Sequence, residues 1–364
     1  MRILLTCIVA DWIEGAKVSL VLQMPSKRPC HTCYCPLVDS SDYSRSVAAK
    51  LRTEKRSKIV ISRGMEMAAN RKKGERKKLS SRHSLNFRPN VFWDLPVFDV
   101  HQCLGPDCLH VLDIGLFEWI IKFIFAEFDG TMTTAEASKT KEEVTNRLAG
   151  IPYFPGLVRF PNGIEKVAID KKGKFQGAEY RDIMKQIVAV VVDLVSPATL
   201  RALTAFLELY RVAKLPKHDQ ETLKALRDIT SNFFSAMGHF TEYSASELRF
   251  PKLHVTAHFE RFIKAFGRLE NLDTETFETF HHAAAQIPYD HTNKQRELVT
   301  KQVPPLFSRN PSLKRGLLNE YSHFPLRWPG LWRRMTMRCF SSGFLLRTTR
   351  RRRTPVLTFP FLVC

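Results

Sequence analysis

The last 44 residues of this chain, 321–364, contain no aspartate, no glutamate and no lysine, although they carry nine arginines. A globular domain mixes its charges, so this stretch is not expected to continue the fold that precedes it. Long apolar runs are missing as well. The most apolar stretch, GLFEWIIKFIFAEF (115–128), is interrupted by Glu118, Lys122 and Glu127, whereas a bilayer span needs about 20 apolar residues. No membrane partner is expected. The opening MRILLTCIVADW has a short apolar run but meets Asp11 and Glu14 almost at once, unlike a secretory leader. Eight cysteines in 364 residues do not make a disulfide scaffold. The expectation is a soluble, intracellular protein.

What is present is ample core material and a strong positive charge. Apolar residues make up 44% of the chain and include 26 phenylalanines, so most of it should fold. The formal charge of +20 points to a polyanionic partner or a basic tail. Residues 50–88 hold 14 Lys or Arg against three acids. They show no apolar periodicity and read as a mobile segment or irregular helix. Residues 90–300 have an ordinary mixed composition.

Along the chain, RILLTCIVA (2–10) predicts a buried strand ending at Asp11. AKVSLVLQM is either a second strand or the start of a helix, and PSKRPCHTCYCP is a loop punctuated by Pro25, Pro29 and Pro36. Apolar residues then recur at helical spacing from Leu109 to Phe128. A Pro- and Gly-punctuated connector, 151–177, leads to AEYRDIMKQIVAVVVDLV. Pro197 opens a further helix with Leu200, Leu203, Leu207 and Tyr210 as its stripe. Helices are also predicted from about Gln220 to Gly238, over FPKLHVTAHFERFIKAFG with Gly267 as C-cap, and over TETFETFHHAAAQ. The middle of the chain is therefore mostly helical.

Several constellations carry chemistry. In CHTCYC, Cys30 and Cys33 have the spacing at which two thiolates reach one zinc ion. Cys35 and His31 are further candidates, and ordinary loop cysteines are the alternative. His254 and His258, at i and i+4, could share a metal but lack the adjacent glutamate of a metalloprotease helix; packing against Phe250 and Phe259 is expected instead. RKKGERKK (Arg71, Lys72, Lys73, Arg76, Lys77, Lys78) suits phosphate contacts and resembles a nuclear import signal. Asp107 and His110 form an acid-x-x-His pair just before the long apolar helix. Glu275 and Glu278 share a face of a late helix.

The text ADWIEG, CHTC and FWDLPVFDVHQCLGPDCLHVLDIGLFEW resembles the Plavaka-type transposases of fungal DNA transposons, in the group of KDZ and CACTA-like elements. FPNGIEKV, GAEYRDIMK, LRALTAFLELYRVAK, FPKLHVTAHFERFIKAFG and NLDTETFETFHHAAA follow in the same order, so the resemblance covers roughly residues 1–300. It implies an α/β, RNase H-like core of the DDE class with a large, mostly α-helical insertion, cutting and joining DNA through Mg2+ or Mn2+. By the same resemblance, Asp11 matches the second catalytic aspartate. Glu278 matches the final glutamate, with Glu275 as the alternative. Asp107 and His110 match the family's acid-x-x-His signature and are expected to support the wall of the site.

The implied organisation is a partial core with its CxxC loop (1–48), a basic disordered linker (49–89), a helical transposase-like region (90–300) and an Arg-rich tail (301–364). The family's first aspartate belongs upstream of Asp11, and none of the ten residues before Asp11 is acidic. The expectation is a truncated, inactive relative in the nucleus, with DNA and a second copy of the chain as partners. Its rival is a recruited, non-catalytic DNA-binding protein stabilised by zinc. Beyond about residue 300 the text reads as an out-of-frame or intron-derived translation, with a nucleic-acid-binding tail built on RTTRRRR (347–353) as the alternative.

Overall fold

The structure, a computed structural model, describes residues 2–95, 98–157, 159–160, 175–281, 287–290, 292 and 356–362. It is mostly helical, with 67% helix and 3% strand. Two compact units share the chain: one comprises Leu4–Asp273 with Thr358–Cys364, the other Met1–Ile3 with Thr274–Leu357.

Strand β1 (Arg2–Val9) belongs to the larger unit from Leu4 onward; there it carries Ile8 and Val9 into the interior, and Ile8 bridges in parallel to Leu104. Helix α1 (Trp12–Val18) follows directly. The ambiguous AKVSLVLQM thus begins as helix, because Asp11 caps it: its Oδ1 accepts the Glu14 N–H at 2.7 Å. The short helix α2 (Tyr43–Ala48) starts in the same way at Asp42.

Of the two readings of the basic segment, the structure shows the helical one and not the disordered linker. The segment folds as two helices, α3 (Glu54–Ala69) and α4 (Lys73–His83), which pack on each other. Thr53 caps the first. A small apolar cluster of Val21, Ile61, Leu85 and Phe87 anchors the pair. Gly64 lies so close to Phe87 that a Cβ there would sit 2.3 Å from the ring. Few apolar residues suffice because each is placed at this contact, while the charges point to solvent.

The long helix foreseen from Leu109 to Phe128 is present but begins as a wide π-helical stretch, Leu109–Phe117, before α6 (Glu118–Thr131). The short α5 (Val100–Cys103) precedes it. Gly115 is required in the wide turn, since a Cβ there would lie 2.4 Å from the His110 carbonyl oxygen. Helices α7 (Thr134–Gly150), α8 (Gly177–Met184) and α9 (Ile187–Val191) lead to the central pair α10 (Pro197–Ala213) and α11 (Gln220–Met237). Ser196 caps α10 and Asp219 caps α11. The buried stripe of α10 is Leu203, Phe206 and Leu209; Leu200, Leu207 and Tyr210 are only half-buried, so the predicted face is rotated. Phe206 meets Phe117 and Phe233, with ring centroids 5.8 Å away in each case, joining the π-helical stretch to both central helices.

FPKLHVTAHFERFIKAFG is not one helix. It divides into α12 (Pro251–Val255), a 3-10 turn (Thr256–His258) and α13 (Phe259–Phe266), closed by Gly267 at φ +80°. Among the described residues no helix is long and apolar enough to cross a membrane. In the smaller unit, α14 (Glu275–His281) contains both candidate glutamates. The Arg-rich tail from 301 lies outside the described residues apart from a strand at Val356–Leu362.

Candidate metal centre

The CHTC loop is held as a tight knuckle by the chain that returns past it. Tyr34 N–H donates to the Lys50 carbonyl at 2.8 Å and Arg52 N–H to the Thr32 carbonyl at 2.9 Å, on either side of a bridge between Cys33 and Leu51. Inside the knuckle, backbone N–H groups point at sulfur: Thr32 donates to Cys30 Sγ at 3.3 Å and Cys35 to Cys33 Sγ at 3.4 Å. Such donors favour the thiolate, the form that binds metal.

Arg52 supports this loop from beneath. It is fully buried. Its Nε donates to the carbonyls of Cys30 (2.8 Å) and Cys33 (3.1 Å), Nη1 to that of His83 (3.0 Å) and Nη2 to that of Arg28 (2.8 Å). The guanidinium also lies over the Tyr34 ring, 4.2 Å from its centroid. A rigid five-donor fork is the one side chain that can gather four carbonyls at once.

Facing the knuckle are the two histidines expected only to pack. Cys33 Sγ lies 3.2 Å from His254 Nε2, Cys30 Sγ 3.6 Å from His258 Nε2, and the two Nε2 atoms 3.2 Å apart. All four atoms are within 4.8 Å of one another, and all four residues are buried. A tetrahedral ion with sulfur at about 2.3 Å and nitrogen at about 2.0–2.1 Å sets edges of roughly 3.6 Å for S to N and roughly 3.4 Å for N to N. The observed separations fit such an ion to within a few tenths of an ångström. His254 Nδ1 lies 2.9 Å from Ser46 Oγ on α2. Donating there leaves Nε2 with its lone pair toward the cluster, the usual outer-shell device of a metal histidine.

The electrostatics agree. Burial alone would raise the Cys30 thiol, but the Cys33 hydrogen bond and the His254 and His258 rings hold it well below its usual value. Burial would likewise lower His254, yet the Cys30 charge pushes it up to about 10. Cys33 is raised by its hydrogen bond with Cys30 and by burial. A buried thiolate and imidazolium side by side mark a place prepared for charge.

This cluster corrects the sequence reading at several residues. Cys30 and Cys33 belong to it, and so do His254 and His258, whose Phe250 and Phe259 neighbours are in the core as expected. Cys35 is buried but outside the set, its thiol directed at the Pro36 carbonyl at 3.5 Å. His31 is outside it too: its ring packs on Trp12 at 4.9 Å, and burial lowers it to about 4. Arg52 and Ser46 were not foreseen, one hidden in a run of cations and the other a single serine in a short polar helix.

The remaining candidates have local roles. Asp107 is buried; its Oδ1 accepts the Leu109 N–H at 3.2 Å and its Oδ2 lies 2.5 Å from His110 Nδ1, so the pair fixes the start of the π-helical stretch. Asp11 caps α1. In the smaller unit, Glu275 opens α14 and Glu278 Oε1 accepts from Thr274 Oγ1 at 3.1 Å. In RKKGERKK, Arg76 Nε donates to the Gly64 carbonyl at 3.2 Å and Lys72 pairs loosely with Glu75 at 3.9 Å. Arg71, Lys73, Lys77 and Lys78 are exposed.

No family model and no curated protein matches the chain. Its class therefore rests on fold and site: a mostly helical protein whose distant segments meet at a buried Cys2His2 cluster able to hold a metal such as zinc.

Proposed function

We propose that the protein is a transposase-like DNA-binding protein in which the Cys2His2 centre holds zinc as a structural ion. The observation that carries this reading is the closed ligand set. Four protein ligands complete a tetrahedron, and no position is left for water or substrate, which is the pattern of structural rather than catalytic zinc. The ion would tie the front of the chain to α12 and the turn after it, much as zinc organises small nucleic-acid-binding modules. The net charge of +20 and the exposed cations of α3 and α4 support a phosphate-rich partner.

The finer reading is that of the resemblance. Residues 1–48 belong to an RNase H-like core, the helical region is its insertion, and the protein works in the nucleus without cutting DNA. In the rival, catalytic version, Asp11 and Glu278 (or Glu275) bind Mg2+ or Mn2+ for strand cleavage.

Fluorescence anisotropy with a labelled duplex, run from about 50 to 200 mM salt, tests the binding claim. Tight, steeply salt-dependent binding is expected. A nicking assay with Mg2+ or Mn2+ separates the two versions. Nicking that disappears in Asp11→Asn, which keeps a capping oxygen, and in Glu278→Gln would replace the binding reading with the catalytic one.

A further inference from the structure

An open pocket of about 560 Å³ has Tyr34 and Pro36, the neighbours of Cys33 and Cys35, in its wall.

The pocket is lined by Arg28, Arg45, Lys50, Arg56, Arg82 and His83, with small or apolar residues between them and no acid. Arg45 is engaged by Asp39 at 2.5 Å and Asp42 at 3.6 Å. Among the described residues no carboxylate forms an ion pair with Arg28, Lys50, Arg56 or Arg82. His83 has cations around it: burial and then the charges of Arg56, Arg52, Arg82 and Arg28 lower its pKa.

Concentrating like charges in one concavity destabilises the free protein, and an anion relieves that repulsion. The pocket is also built rather than incidental. Two of its lining residues, Arg28 and His83, are held through their carbonyls by the buried Arg52 fork, which also binds those of Cys30 and Cys33. Arg28 Nη1 in turn donates to the Arg82 carbonyl at 2.8 Å, and its backbone N–H to Ser84 Oγ at 2.9 Å. The arrangement that orders the metal knuckle thus also sets the spacing of these cations.

We propose that this pocket, rather than the lysines of the α3–α4 hairpin, receives the backbone phosphates of DNA, and that the metal centre holds it in shape. The inference rests on the DNA-binding reading and names the site within it. Exposed lysines on α4 project singly into solvent, whereas Arg28, Lys50, Arg56 and Arg82 converge from four separate segments on one volume, which suits the crowded charge of a phosphodiester strand.

The test is anisotropy with a fluorescein-labelled 20-base-pair duplex and the full chain, in two sets of variants. One carries Lys50→Ala, Arg56→Ala and Arg82→Ala; the other carries Lys73→Ala, Lys77→Ala and Lys78→Ala. The substituted side chains are exposed, and circular dichroism and metal content check that each protein is intact. Arg56→Glu with Arg82→Glu provides a second pocket variant. The expected result is that the pocket set binds at least about tenfold more weakly and its log K against log salt slope is shallower by roughly 2.7, three phosphate contacts at about 0.9 each. The hairpin set should stay within about threefold of the parent. Chelating the metal should also weaken binding. If the parent binds DNA and both pocket variants bind as tightly, the inference is wrong and the DNA-binding reading stands. If the parent does not bind at about 50 mM salt, where phosphate contacts are strongest, the DNA-binding reading falls and this assignment falls with it.

Discussion

Cys33 and His254 are 221 residues apart in the chain, and their ligand atoms lie 3.2 Å from each other. Closing so long a loop is entropically costly, and one sulfur–nitrogen contact would not offset it. A shared ion would. The protein should therefore take up one Zn2+ per chain, and Co2+ in its place should show the intense visible absorption of a tetrahedral thiolate site. Cys33→Ser or His254→Ala should lower metal affinity on the order of 100-fold or more. Absence of stoichiometric metal in protein purified without chelator, with no uptake on titration, would remove the centre from the account.

Arg52 is the residue on which the knuckle depends most. Replacing it by methionine leaves four carbonyls without their donor, two of them in buried contacts and two in part-buried ones, and the expected cost is about 3–5 kcal/mol. Arg52→Lys should recover less than half of that, because an ammonium cannot span the four acceptors. Urea denaturation of the three proteins measures both quantities. A loss below about 1 kcal/mol in the methionine variant would show that the loop holds its shape without the fork.

These two residues also show where sequence reasoning stops. The CxxC pair and the i, i+4 histidines were each visible as half of a site, because both depend only on local spacing. Their union depends on how α2, the knuckle and α12 pack, which no local pattern encodes. Arg52 was lost in a basic run whose average character is solvated, although it is itself fully buried. The same averaging made residues 50–88 look disordered: Ile61, Leu85 and Phe87 are too few to give a periodic signal but sit where they count. By contrast, the helix starts at Pro197 and Gln220 and the stop at Gly267 were legible, since caps are local chemistry.

Ser46 offers a subtler check on the site. Its hydroxyl faces His254 Nδ1 and sets which ring nitrogen is left for the cluster. Ser46→Ala should leave helix content unchanged but lower zinc affinity about 10- to 100-fold, the usual effect of losing an outer-shell partner. Competition against a chromophoric chelator reads this directly. Unchanged affinity would mean that packing alone orients the ring.

His101 makes the larger unit acid-sensitive independently of the metal ligands. Its Nδ1–H donates to the His31 carbonyl at 2.8 Å, and its Nε2 accepts from Ser57 Oγ at 2.7 Å, so the neutral ring is fully bonded. Burial, helped by the Arg52 charge, lowers its pKa to about 3 from the ordinary 6.5. A histidine with a depressed folded-state pKa is neutral in both states above 6.5. Below that the unfolded chain takes up a proton that the folded one refuses. Stability is therefore lost as pH falls from 6.5, by about 1.4 kcal/mol per unit, or roughly 2 kcal/mol by pH 5. His101→Gln should be less stable at neutral pH, through the lost hydrogen bonds, but show a pH slope shallower by about that amount. Acid release of metal affects both proteins alike, so the difference between their unfolding curves isolates the histidine. Parallel slopes from pH 7 to pH 5 would mean that His101 is protonated as readily in the fold as outside it.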